Sequence, residues 1–394
     1  MEVDALIFGG GGAGLWLLDA LHASGFSTLL IERTALGAGQ TIACQGIIHG
    51  GIKYTLTGSM TASARAIRDM PDLWRACLRG EREPDLRDVR VLSPGCHLWR
   101  TRSLTSKLGL VGTRVGLRSE VSAVDRADRP AVLAECPGDV LRVDEPVLDV
   151  PSLIRVLANR HAARIIAVGE DGEVAIETSG AGRVAGVALR RGRASVDIHP
   201  RHVILTAGAG NEELRQRVGL PANAMQRRPL HMVLVRGSLP MLFGHCVDGA
   251  RTRVTITSAT DSASRTVWQL GGNLSEEGVG RDADAQVAHA RRELASVLPG
   301  LNLDATEWGS YRIDRAEGRT AGGLRPQGPT VGVEGNTITA WPTKLALVPQ
   351  LATMVAEHLG LPARPVDRPD AALSGFLSPS VALPPWETVS PWRG

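Results

Sequence analysis

Two hydrophobic periodicities alternate along the first 32 residues of the chain. Residues 3–8 form an apolar run of strand length, and residues 9–14, all glycine except for one alanine, follow directly. Leucines at helical spacing come next, and a second apolar run at residues 27–31 ends on Glu32. The pattern predicts a strand, a tight turn, a helix and a second strand with an acidic residue at its tip.

The glycines between the first strand and the helix have the G-x-G-x-x-G spacing of a dinucleotide-binding turn. Gly9 permits the tight turn, Gly11 lets a pyrophosphate approach the backbone, and Gly14 lets the helix pack against the strand. Because this motif alone is weak evidence, a glycine-rich turn in an unrelated α/β protein is the alternative. The complete unit, with both strands, the helix and the acid, favours dinucleotide binding.

The start of the helix and the end of the second strand supply the other expected contacts. Gly12 and Ala13 lie in the first helical turn, whose unpaired N–H groups and partial positive charge favour a phosphate. Glu32 can accept hydrogen bonds from ribose hydroxyls, and Arg33 follows it at the same edge. We therefore expect the ADP half of a dinucleotide at this end of the sheet.

The rest of the chain alternates helical and strand-like segments. Helical spacing predicts helices at residues 151–160, 283–298 and 345–359, and another at 59–78 that is interrupted at Pro71. Runs that predict strands lie at residues 89–92, 96–99, 165–168, 174–177, 184–189, 202–205, 231–235, 253–257, 266–270 and 337–340.

Turn sequences between these runs predict how the strands pair. Glycine-containing turns separate the runs at 165–168, 174–177 and 184–189, which predicts a three-stranded meander. The alternating runs between residues 229 and 272 predict an antiparallel sheet in a second domain. The buried run at 202–205 returns the chain to the dinucleotide-binding domain.

The fold class that follows is α/β (α+β overall), with a Rossmann-like FAD-binding domain that is discontinuous in sequence and an inserted antiparallel-sheet substrate domain. This layout is typical of a flavoprotein, because a nicotinamide dehydrogenase usually runs its six strands consecutively. The predicted segments are residues 1–85, 145–225 and 315–375 for the FAD-binding domain, 86–144 and 226–314 for the substrate domain, and 376–394 for a tail that contains proline and tryptophan.

Composition and charge narrow the class of partners. The 394 residues are 43% hydrophobic and carry a net charge of +3, so no polyanionic partner such as nucleic acid is indicated. The slightly basic balance leaves weak peripheral attraction to the inner face of an anionic membrane open. Five scattered cysteines without C-x-x-C spacing favour reduced thiols in a cytoplasmic setting and argue against a metal or iron–sulfur site.

Three stretches of the chain resemble one family of flavoenzymes. Residues 40–54 read Q-T-I-A-C-Q-G-I-I-H-G-G-I-K-Y and precede a Gly-Ser pair at 58–59, residues 203–208 read V-I-L-T-A-G, and residues 323–327 read G-L-R-P-Q. With these motifs and the acid-ended βαβ unit, the chain resembles the D-amino-acid-oxidase superfamily of FAD enzymes over nearly its full length. Within that superfamily it is most similar to the branch of L-2-hydroxyglutarate oxidases and glycerol-3-phosphate dehydrogenases.

The resemblance implies non-covalently bound FAD and a set of residues that contact it. Thr41 and Gln45 would make polar contacts to the phosphates and the ribityl chain, Val168 would contact the adenine, and Lys344 would face the pyrimidine end of the flavin. The other implied contacts are Gln40, Cys44, Gly46, Ile48, Ala207, Gly208, Arg325, Thr343 and Leu345.

His49 is the candidate catalytic residue, because it follows two apolar residues and precedes two glycines that allow close approach to the flavin ring. An imidazole, with an unperturbed pKa of about 6.5, suits a general base or a group that stabilises anionic reduced flavin. A structural role in the loop is the alternative. Arg325, in the Gly-x-Arg motif, is the first candidate to grip a carboxylate and Arg312 the second, with a surface position as the alternative for both.

The predicted function is that of an FAD-dependent oxidase or dehydrogenase that removes a hydride from a small anionic carboxylate, most consistently a 2-hydroxy acid. Oxidation of an amine or amino acid within the same superfamily is one alternative. A non-catalytic flavin-binding protein is another, because the hydroxyglutarate branch has an Arg-Gly-acid-Tyr-Tyr segment where residues 236–240 read R-G-S-L-P. Oxygen, a quinone and a partner protein all remain open as the electron acceptor.

Overall fold

The computed structural model describes residues 1–51, 67–101, 121–249, 251–363, 373, 375–376 and 378–394. Its strands are β1 (Glu2–Phe8), β2 (Thr28–Glu32), β3 (Val91–Ser93), β4 (Cys96–Trp99), β5 (Val121–Ala123), β6 (Val140–Val143), β7 (Val147–Leu148), β8 (Ile165–Ala167), β9 (Glu173–Gly180), β10 (Arg183–Arg191), β11 (Ala194–Leu205), β12 (Met225–Gly237), β13 (Gly244–Asp248), β14 (Arg251–Thr260), β15 (Thr266–Gly271), β16 (Thr306–Gly318), β17 (Thr330–Glu334) and β18 (Thr337–Trp341). Its helices are α1 (Gly12–Ala23), α2 (Met70–Leu78), α3 (Val150–Arg160), α4 (Asn211–Arg217), α5 (Asn273–Glu277), α6 (Ala283–Val297), α7 (Val348–Ala356) and α8 (Pro385–Thr388).

The first sheet is built around strand β1. Its strands lie in the order β17-β18-β11-β1-β2-β8, and β1 is parallel to both neighbours, with Leu6 opposite Leu29 and Val203. Every residue of β1 after Glu2 is buried, as expected for a parallel strand that is covered on both faces. Helices α1, α3 and α7 contribute to the core on one face, and residues of β10 and β11 contribute to the core on the other.

The run at residues 165–168 does not belong to the predicted meander. Strand β8 pairs in parallel with β2, with Ile166 opposite Ile31. The meander consists of β9, β10 and β11 instead, which pair antiparallel. The reason is burial, because all three residues of β8 are buried as in a parallel strand, whereas the first half of β9 alternates between exposed and half-buried positions.

The second sheet has the strand order β16-β12-β15-β14-β13-β4-β6-β5. Its pairs are antiparallel, as the alternating runs predict, except that β13 and β4 are parallel. Strands β12 and β16 pair along 13 residues each and form its longest ladder. Leu294 of α6 lies in one hydrophobic core with Trp99, Trp268 and Trp308 of this sheet.

Three predicted segments differ in detail from the structure. The helical segment is interrupted by a turn at residues 68–69, directly before Pro71, which lies in the first turn of α2, where a missing N–H costs nothing. The part of that predicted helix at residues 59–66 lies outside the described residues, as do Lys53 and Tyr54 of the family motif. The predicted helix at 345–359 begins as one 3-10 turn and continues as α7.

The tail contains one short helix, α8, where its prolines predict irregular structure. The tail packs against the body of the protein. Trp392 lies under the Arg236 guanidinium at 3.8 Å, and Arg393 exchanges backbone hydrogen bonds with Trp308. In the described part of the chain, no helix has both the length and the apolar character that crossing a membrane requires.

The two sheets draw on separate stretches of the chain. The first takes its strands from residues 2–32, 165–205 and 330–341, and the second from residues 96–143 and 225–318. Strand β16 runs through positions 314 and 315, where the sequence predicts a domain boundary. The division into an FAD-binding and a substrate domain stays a prediction.

Candidate active site

A cavity of about 1160 Å³ opens at the carboxyl ends of β1, β2, β8 and β11 and extends to strands of the second sheet. In open α/β sheets, ligands bind at this edge, and the volume exceeds the roughly 300–1,000 Å³ that small-molecule sites usually have. The predicted site residues that line it are Gly9, Gly11, Gly12, Ala13, Glu32, Arg33, Gln40, Thr41, Cys44, Gln45, Gly46, His49, Val168, Ala207, Gly208, Arg312, Arg325, Thr343, Lys344 and Leu345.

Gly9 and Gly14 of the glycine turn are needed for close backbone packing. Gly9 has a φ of +104°, and a Cβ there would lie 2.6 Å from the Cα of Ala207. A Cβ on Gly14 would lie 2.0 Å from the carbonyl oxygen of Gly9. Gly14 thus lies behind the cavity wall and packs α1 on the turn, while Gly11 and Gly12 line the cavity at the helix N-terminus.

Glu32 anchors the turn at the mouth of the cavity. One carboxylate oxygen accepts a hydrogen bond from the backbone N–H of Gly10 at 2.7 Å. The other accepts hydrogen bonds from the N–H groups of Arg33 at 2.7 Å and Thr34 at 3.3 Å. These bonds hold the carboxylate against the glycine turn, next to Val168 at the end of β8, where a ribose is expected.

The loop at residues 40–45 is held between the two sheets. The hydroxyl of Thr41 accepts a hydrogen bond from Gly12 N–H at 3.2 Å, which ties the loop to the first turn of α1. The side-chain oxygen of Gln40 accepts a hydrogen bond from Ala316 N–H at 2.9 Å. The Gln45 amide donates to the carbonyl oxygens of Gln269 at 2.9 Å and Thr255 at 3.2 Å. Strands β14, β15 and β16 therefore fix where this loop meets the cavity.

Two residues of the predicted flavin loop have surroundings that limit their roles. Burial raises the pKa of the Cys44 thiol to about 11, so the thiol is protonated near neutral pH and is a poor nucleophile. This disfavours a covalent bond between Cys44 and the flavin. Ile48 has no exposed surface and belongs to the core under the first sheet, so its side chain does not line the cavity.

Donor groups at the cavity fit an occupant rich in acceptor atoms. Among the described residues, the buried indole N–H of Trp341 and the buried Nε of Arg315 have no hydrogen-bond partner, and both residues line the cavity. Buried donors in native proteins are nearly always paired, so a ligand with acceptor atoms is expected to pair them. Phosphate, ribityl and pyrimidine oxygens of FAD are such acceptors.

His49 lies in a cluster that the sequence does not reveal. Its Nδ1 is 3.1 Å from one carboxylate oxygen of Glu145, and the other oxygen of Glu145 accepts the N–H of Gly50 at 2.6 Å. The ring of His245 faces the His49 ring at 5.5 Å between centroids, and its Nδ1 is 2.8 Å from the Thr255 hydroxyl. Ligand atoms of His49, Glu145 and His245 lie within 4.8 Å of one another, a spacing that could hold a metal ion.

The two predicted anchor arginines have different surroundings. Arg312 is exposed, and its guanidinium donates to the carbonyl oxygens of Val279 at 2.7 Å and Arg281 at 2.5 Å. Arg325 is exposed at the cavity edge, after two glycines with left-handed backbone conformations. The guanidinium of Arg312 is therefore engaged by nearby backbone carbonyl groups, whereas Arg325 adds positive charge to the cavity.

Arg315 is a cavity arginine that the sequence analysis missed. Its side chain is 16% exposed, and it donates to the Glu276 carboxylate at 2.6 Å. Burial lowers the pKa of Arg315, and the charges of Arg228 and Arg325 lower it further, against the opposing effect of Glu276. Burial alone would raise the pKa of Glu276, but the hydrogen bond from Arg315 and the charges of the three arginines bring it below its ordinary value.

Comparison with known proteins identifies the family. The model of the family of FAD-dependent oxidoreductases called DAO matches residues 4–340. This chain belongs to the DAO family of FAD-dependent oxidoreductases. The FAD-dependent oxidoreductase PA4991 of Pseudomonas aeruginosa is 42% identical over 398 residues, which cover 99% of this chain and 98% of the relative. Its crystal structure superposes with a TM-score of 0.82 at 38% identity and covers 98% of both chains.

More distant members of the same fold act on different donors according to their names. Glycine oxidase from Geobacillus kaustophilus has a TM-score of 0.66 at 18% identity, with 95% of this chain and 99% of that chain covered. L-α-Glycerophosphate oxidase from Mycoplasma pneumoniae, with FAD bound, has a TM-score of 0.63 at 14% identity, with 94% and 97% covered. At these identities the likeness establishes the shared fold alone.

The family and the lining of the cavity both fit FAD as the cofactor. This DAO-family protein is an oxidoreductase that uses FAD. The edge of the first sheet offers the glycine turn, Glu32 and the N-terminus of α1 for the ADP half, and the loop at 40–49 continues from there towards the second sheet. The narrower similarity to the hydroxyglutarate and glycerol-3-phosphate branch stays a prediction.

Proposed function

We propose that this protein oxidises a small 2-hydroxy acid to the 2-oxo acid, as the branch of L-2-hydroxyglutarate oxidases that its sequence resembles would. The observation that carries the proposal is that His49, Arg315 and Arg325 line one cavity. A hydroxy acid needs a cationic site for its carboxylate and a base for its hydroxyl, and these side chains supply the two groups.

Arg315 lies among other arginines at the cavity, which suits a carboxylate. Arg228 and Arg325 bring two further guanidinium groups close to Arg315, next to the carboxylates of Glu276 and Glu317. Arg228 pairs with Glu317 at 2.7 Å, and Arg315 pairs with Glu276 at 2.6 Å. The oxygens of a substrate carboxylate could accept the Nε–H of Arg315, for which the described residues offer no hydrogen-bond partner.

The base at His49 favours a hydroxyl substrate over an amine. A hydroxyl proton is held until the C–H bond breaks, so its removal by a positioned base speeds the reaction. A neutral amine depends less on such a base, because loss of a hydride leaves an iminium ion that is stable without losing a proton. FAD, when bound, accepts the hydride from the substrate carbon. In our proposal Nε2 of His49 takes the hydroxyl proton, and the C–O single bond becomes a carbonyl.

Oxidation of an amino acid is the second candidate. The structural neighbours include a glycine oxidase, and a carboxylate site formed by Arg315 and Arg325 would serve an amino acid as well as a hydroxy acid. The two candidates differ only in the group on the reacting carbon. A panel of matched pairs, identical except for that group, therefore separates them.

The test is anaerobic bleaching of the flavin band in the purified FAD-loaded protein. The probes are glycolate and glycine, L- and D-lactate and alanine, malate and aspartate, and 2-hydroxyglutarate and glutamate. We expect a hydroxy acid to bleach the flavin while its amino partner does not. Bleaching by the amino partner would establish the second candidate instead, and a flavin that no probe bleaches would indicate a non-catalytic flavin protein.

Reoxidation of the bleached protein then identifies the acceptor class. Oxygen uptake during turnover would indicate an oxidase. Turnover that requires a soluble quinone or a redox dye would indicate a dehydrogenase. Because both measurements follow the oxidation of reduced flavin, either donor class found in the screen can be used in them.

A further inference from the structure

We infer that Glu145 is the positioning residue for His49, and that it holds the imidazole in the tautomer whose Nε2 accepts the substrate proton. The inference rests on the function proposed above. Glu145 lies in the short connection between β6 and β7, and its carboxylate bridges two consecutive residues of the His49 loop. One oxygen meets His49 Nδ1 at 3.1 Å, and the other accepts the Gly50 N–H at 2.6 Å.

The backbone around this contact leaves the loop little freedom. Ile48 N–H donates to the carbonyl oxygen of Pro146 at 2.9 Å, and Leu148 N–H donates to that of Gly46 at 3.0 Å. Gly46 has a φ of +69°, and a Cβ there would lie 2.2 Å from the Leu148 oxygen. Residues 46–50 therefore lie along 145–148 like a further strand, and the Glu145 side chain completes the pairing at the end next to the cavity.

The chemistry of the contact assigns the proton on His49. An ionised carboxylate only accepts hydrogen bonds, and the second donor, Gly50 N–H, also favours the ionised form of Glu145. Its side chain is 3% exposed, so water competes little for this pair. Nδ1 of His49 must then be the donor, which leaves the lone pair of the neutral ring on Nε2.

The pair of His49 and Glu145 would also stabilise the positive charge that forms on His49 during the reaction. When His49 takes a proton it becomes an imidazolium, and the buried carboxylate at 3.1 Å stabilises that charge. The ring of His245 lies next to the same ring, tilted by 35° with 5.5 Å between the centroids. A neutral His245 is compatible with this arrangement, whereas a protonated His245 would oppose proton uptake by His49.

A metal ion held by His49, Glu145 and His245 is the alternative use of the cluster. Positioning is favoured because both oxygens of Glu145 already meet N–H groups of the loop, and because Nδ1 of His245 meets the Thr255 hydroxyl. Metal binding would have to replace the bond between Glu145 and His49. The two uses differ in whether His245 is required and in whether a chelator matters.

The direct test is the tautomer of His49 in the FAD-loaded protein. We would label the histidines with ¹⁵N, assign the His49 ring by its loss in His49→Gln, and follow both ring nitrogens through a pH titration. We expect the protonated nitrogen of the neutral ring to be Nδ1. A neutral ring protonated at Nε2 would overturn the inference, whether or not any substrate is known.

Variants of Glu145 test the kinetic consequence. In Glu145→Gln, the amide oxygen can accept Gly50 N–H only by turning its NH₂ towards His49, which favours the opposite tautomer. We expect flavin reduction by the hydroxy acid found in the bleaching screen to slow about 100-fold with substrate affinity nearly unchanged. We also expect the acidic limb of its pH profile to move down by about one pH unit. Glu145→Asp, which keeps the charge, should restore part of the rate.

Controls separate positioning from general damage. Glu135→Gln removes an exposed carboxylate that lies before β6 and should change neither readout. FAD content and thermal melting show whether Glu145→Gln is folded; should it not fold, the tautomer of the wild-type protein decides. A folded Glu145→Gln with an unchanged tautomer and pH profile would overturn the inference. So would one equivalent of bound metal that EDTA removes together with activity and that His245→Gln also abolishes.

The inference and the proposed function fail separately. If no 2-hydroxy acid reduces the wild-type flavin, the proposed function is wrong, while the ¹⁵N titration still reports on the pair of His49 and Glu145. If a hydroxy acid reduces the flavin but the neutral His49 ring carries its proton on Nε2, the function stands and the role assigned to Glu145 is wrong.

Discussion

The side chain of Gln269 donates a hydrogen bond to the carbonyl oxygen of Ala43 at 2.8 Å and so joins the second sheet to the loop at the cavity. The same amide contacts the hydroxyl of Tyr311 at 2.5 Å. Strands of the second sheet thus position a segment that the cofactor is expected to contact. The order of this loop, and with it the affinity for FAD, should depend on a residue more than 200 positions away.

Gln269→Leu tests that dependence. Removing the amide leaves the buried Ala43 carbonyl, among the side chains that the structure describes, with the longer contact to Tyr311 at 3.3 Å. We expect the dissociation constant of FAD, measured by fluorescence on the apoprotein, to rise about 10-fold, the equivalent of one hydrogen bond. Ser258→Ala, which removes another buried polar side chain of the same sheet, should lower stability and leave FAD affinity unchanged. Equal affinities in all three proteins would show that the contact does not hold the loop.

Gly14→Ala should be far more damaging than Gly12→Ala, although the two positions share one helical turn. The new Cβ would lie 2.0 Å from the backbone oxygen of Gly9 in the first case and 3.3 Å from the flexible side chain of Leu345 in the second. We expect losses in the free energy of unfolding of about 3 kcal/mol or more for Gly14→Ala and less than about 1 kcal/mol for Gly12→Ala. Urea denaturation of the apoproteins measures both, and similar losses would contradict the packing role of Gly14.

Asp19 should stabilise the protein in a pH-dependent way. It is buried in α1, and one carboxylate oxygen lies 2.7 Å from Arg160 Nε and 2.8 Å from His161 Nε2. Burial alone would raise the pKa of Asp19, but the hydrogen bonds from His161 and Arg160 bring it below its ordinary value of 3.8. A lowered folded-state pKa means that the stabilisation is present at neutral pH and is lost as the pH falls below that value.

Asp19→Asn measures this contribution. We expect it to lower the free energy of unfolding by about 2 kcal/mol at pH 7, with the gap to wild type narrowing as the pH falls towards and below 3.8. The matched control is Asp72→Asn, which removes an exposed helical partner of Arg75 and should change stability by less than about 0.5 kcal/mol. A gap at Asp19 that does not narrow in acid would contradict the ion-pair account.

Arg315 should bind the substrate carboxylate, and Arg312 should not. We expect Arg315→Met to raise the dissociation constant of the reducing acid, taken from the concentration dependence of flavin reduction, by about 10- to 100-fold. Arg312→Met removes a guanidinium that donates to backbone carbonyls, so it should lower stability with little change in that constant. The reverse pattern would support Arg312, the second anchor candidate from the sequence.

The sequence predicts the first sheet better than the site. Glycine spacing and an acidic strand end are local signals, and they identify the turn that carries Gly9 and Glu32 without any knowledge of distant contacts. The pairing of β8 with β2 was missed because a short apolar run does not distinguish a parallel edge strand from a hairpin. The resemblance in motifs also predicts that His49, Thr41 and Gln45 lie at the cofactor site, and all three line the cavity.

The site residues that the sequence does not reveal are brought together by contacts between distant parts of the chain, and no local pattern encodes such contacts. Glu145 meets His49 across 96 residues, and neither it nor His245 lies in a recognisable motif. Arg315 is one arginine among 44 lysines and arginines, and only the pairing of β16 with β12 brings it beside Arg228 at the cavity. Arg312 lies three residues before Arg315, but its guanidinium donates to backbone carbonyl oxygens of a neighbouring turn. These contacts, which the local sequence does not reveal, hold it away from an anchoring role.

The most direct test of the account is the rate of anaerobic flavin reduction in His49→Gln. In our account the ring of His49 takes the substrate proton, so with FAD content and melting temperature equal to wild type, reduction by the hydroxy acid should slow at least about 100-fold while substrate affinity changes little. A His49→Gln protein that is reduced as fast as wild type would contradict the central claim that this histidine performs the chemistry.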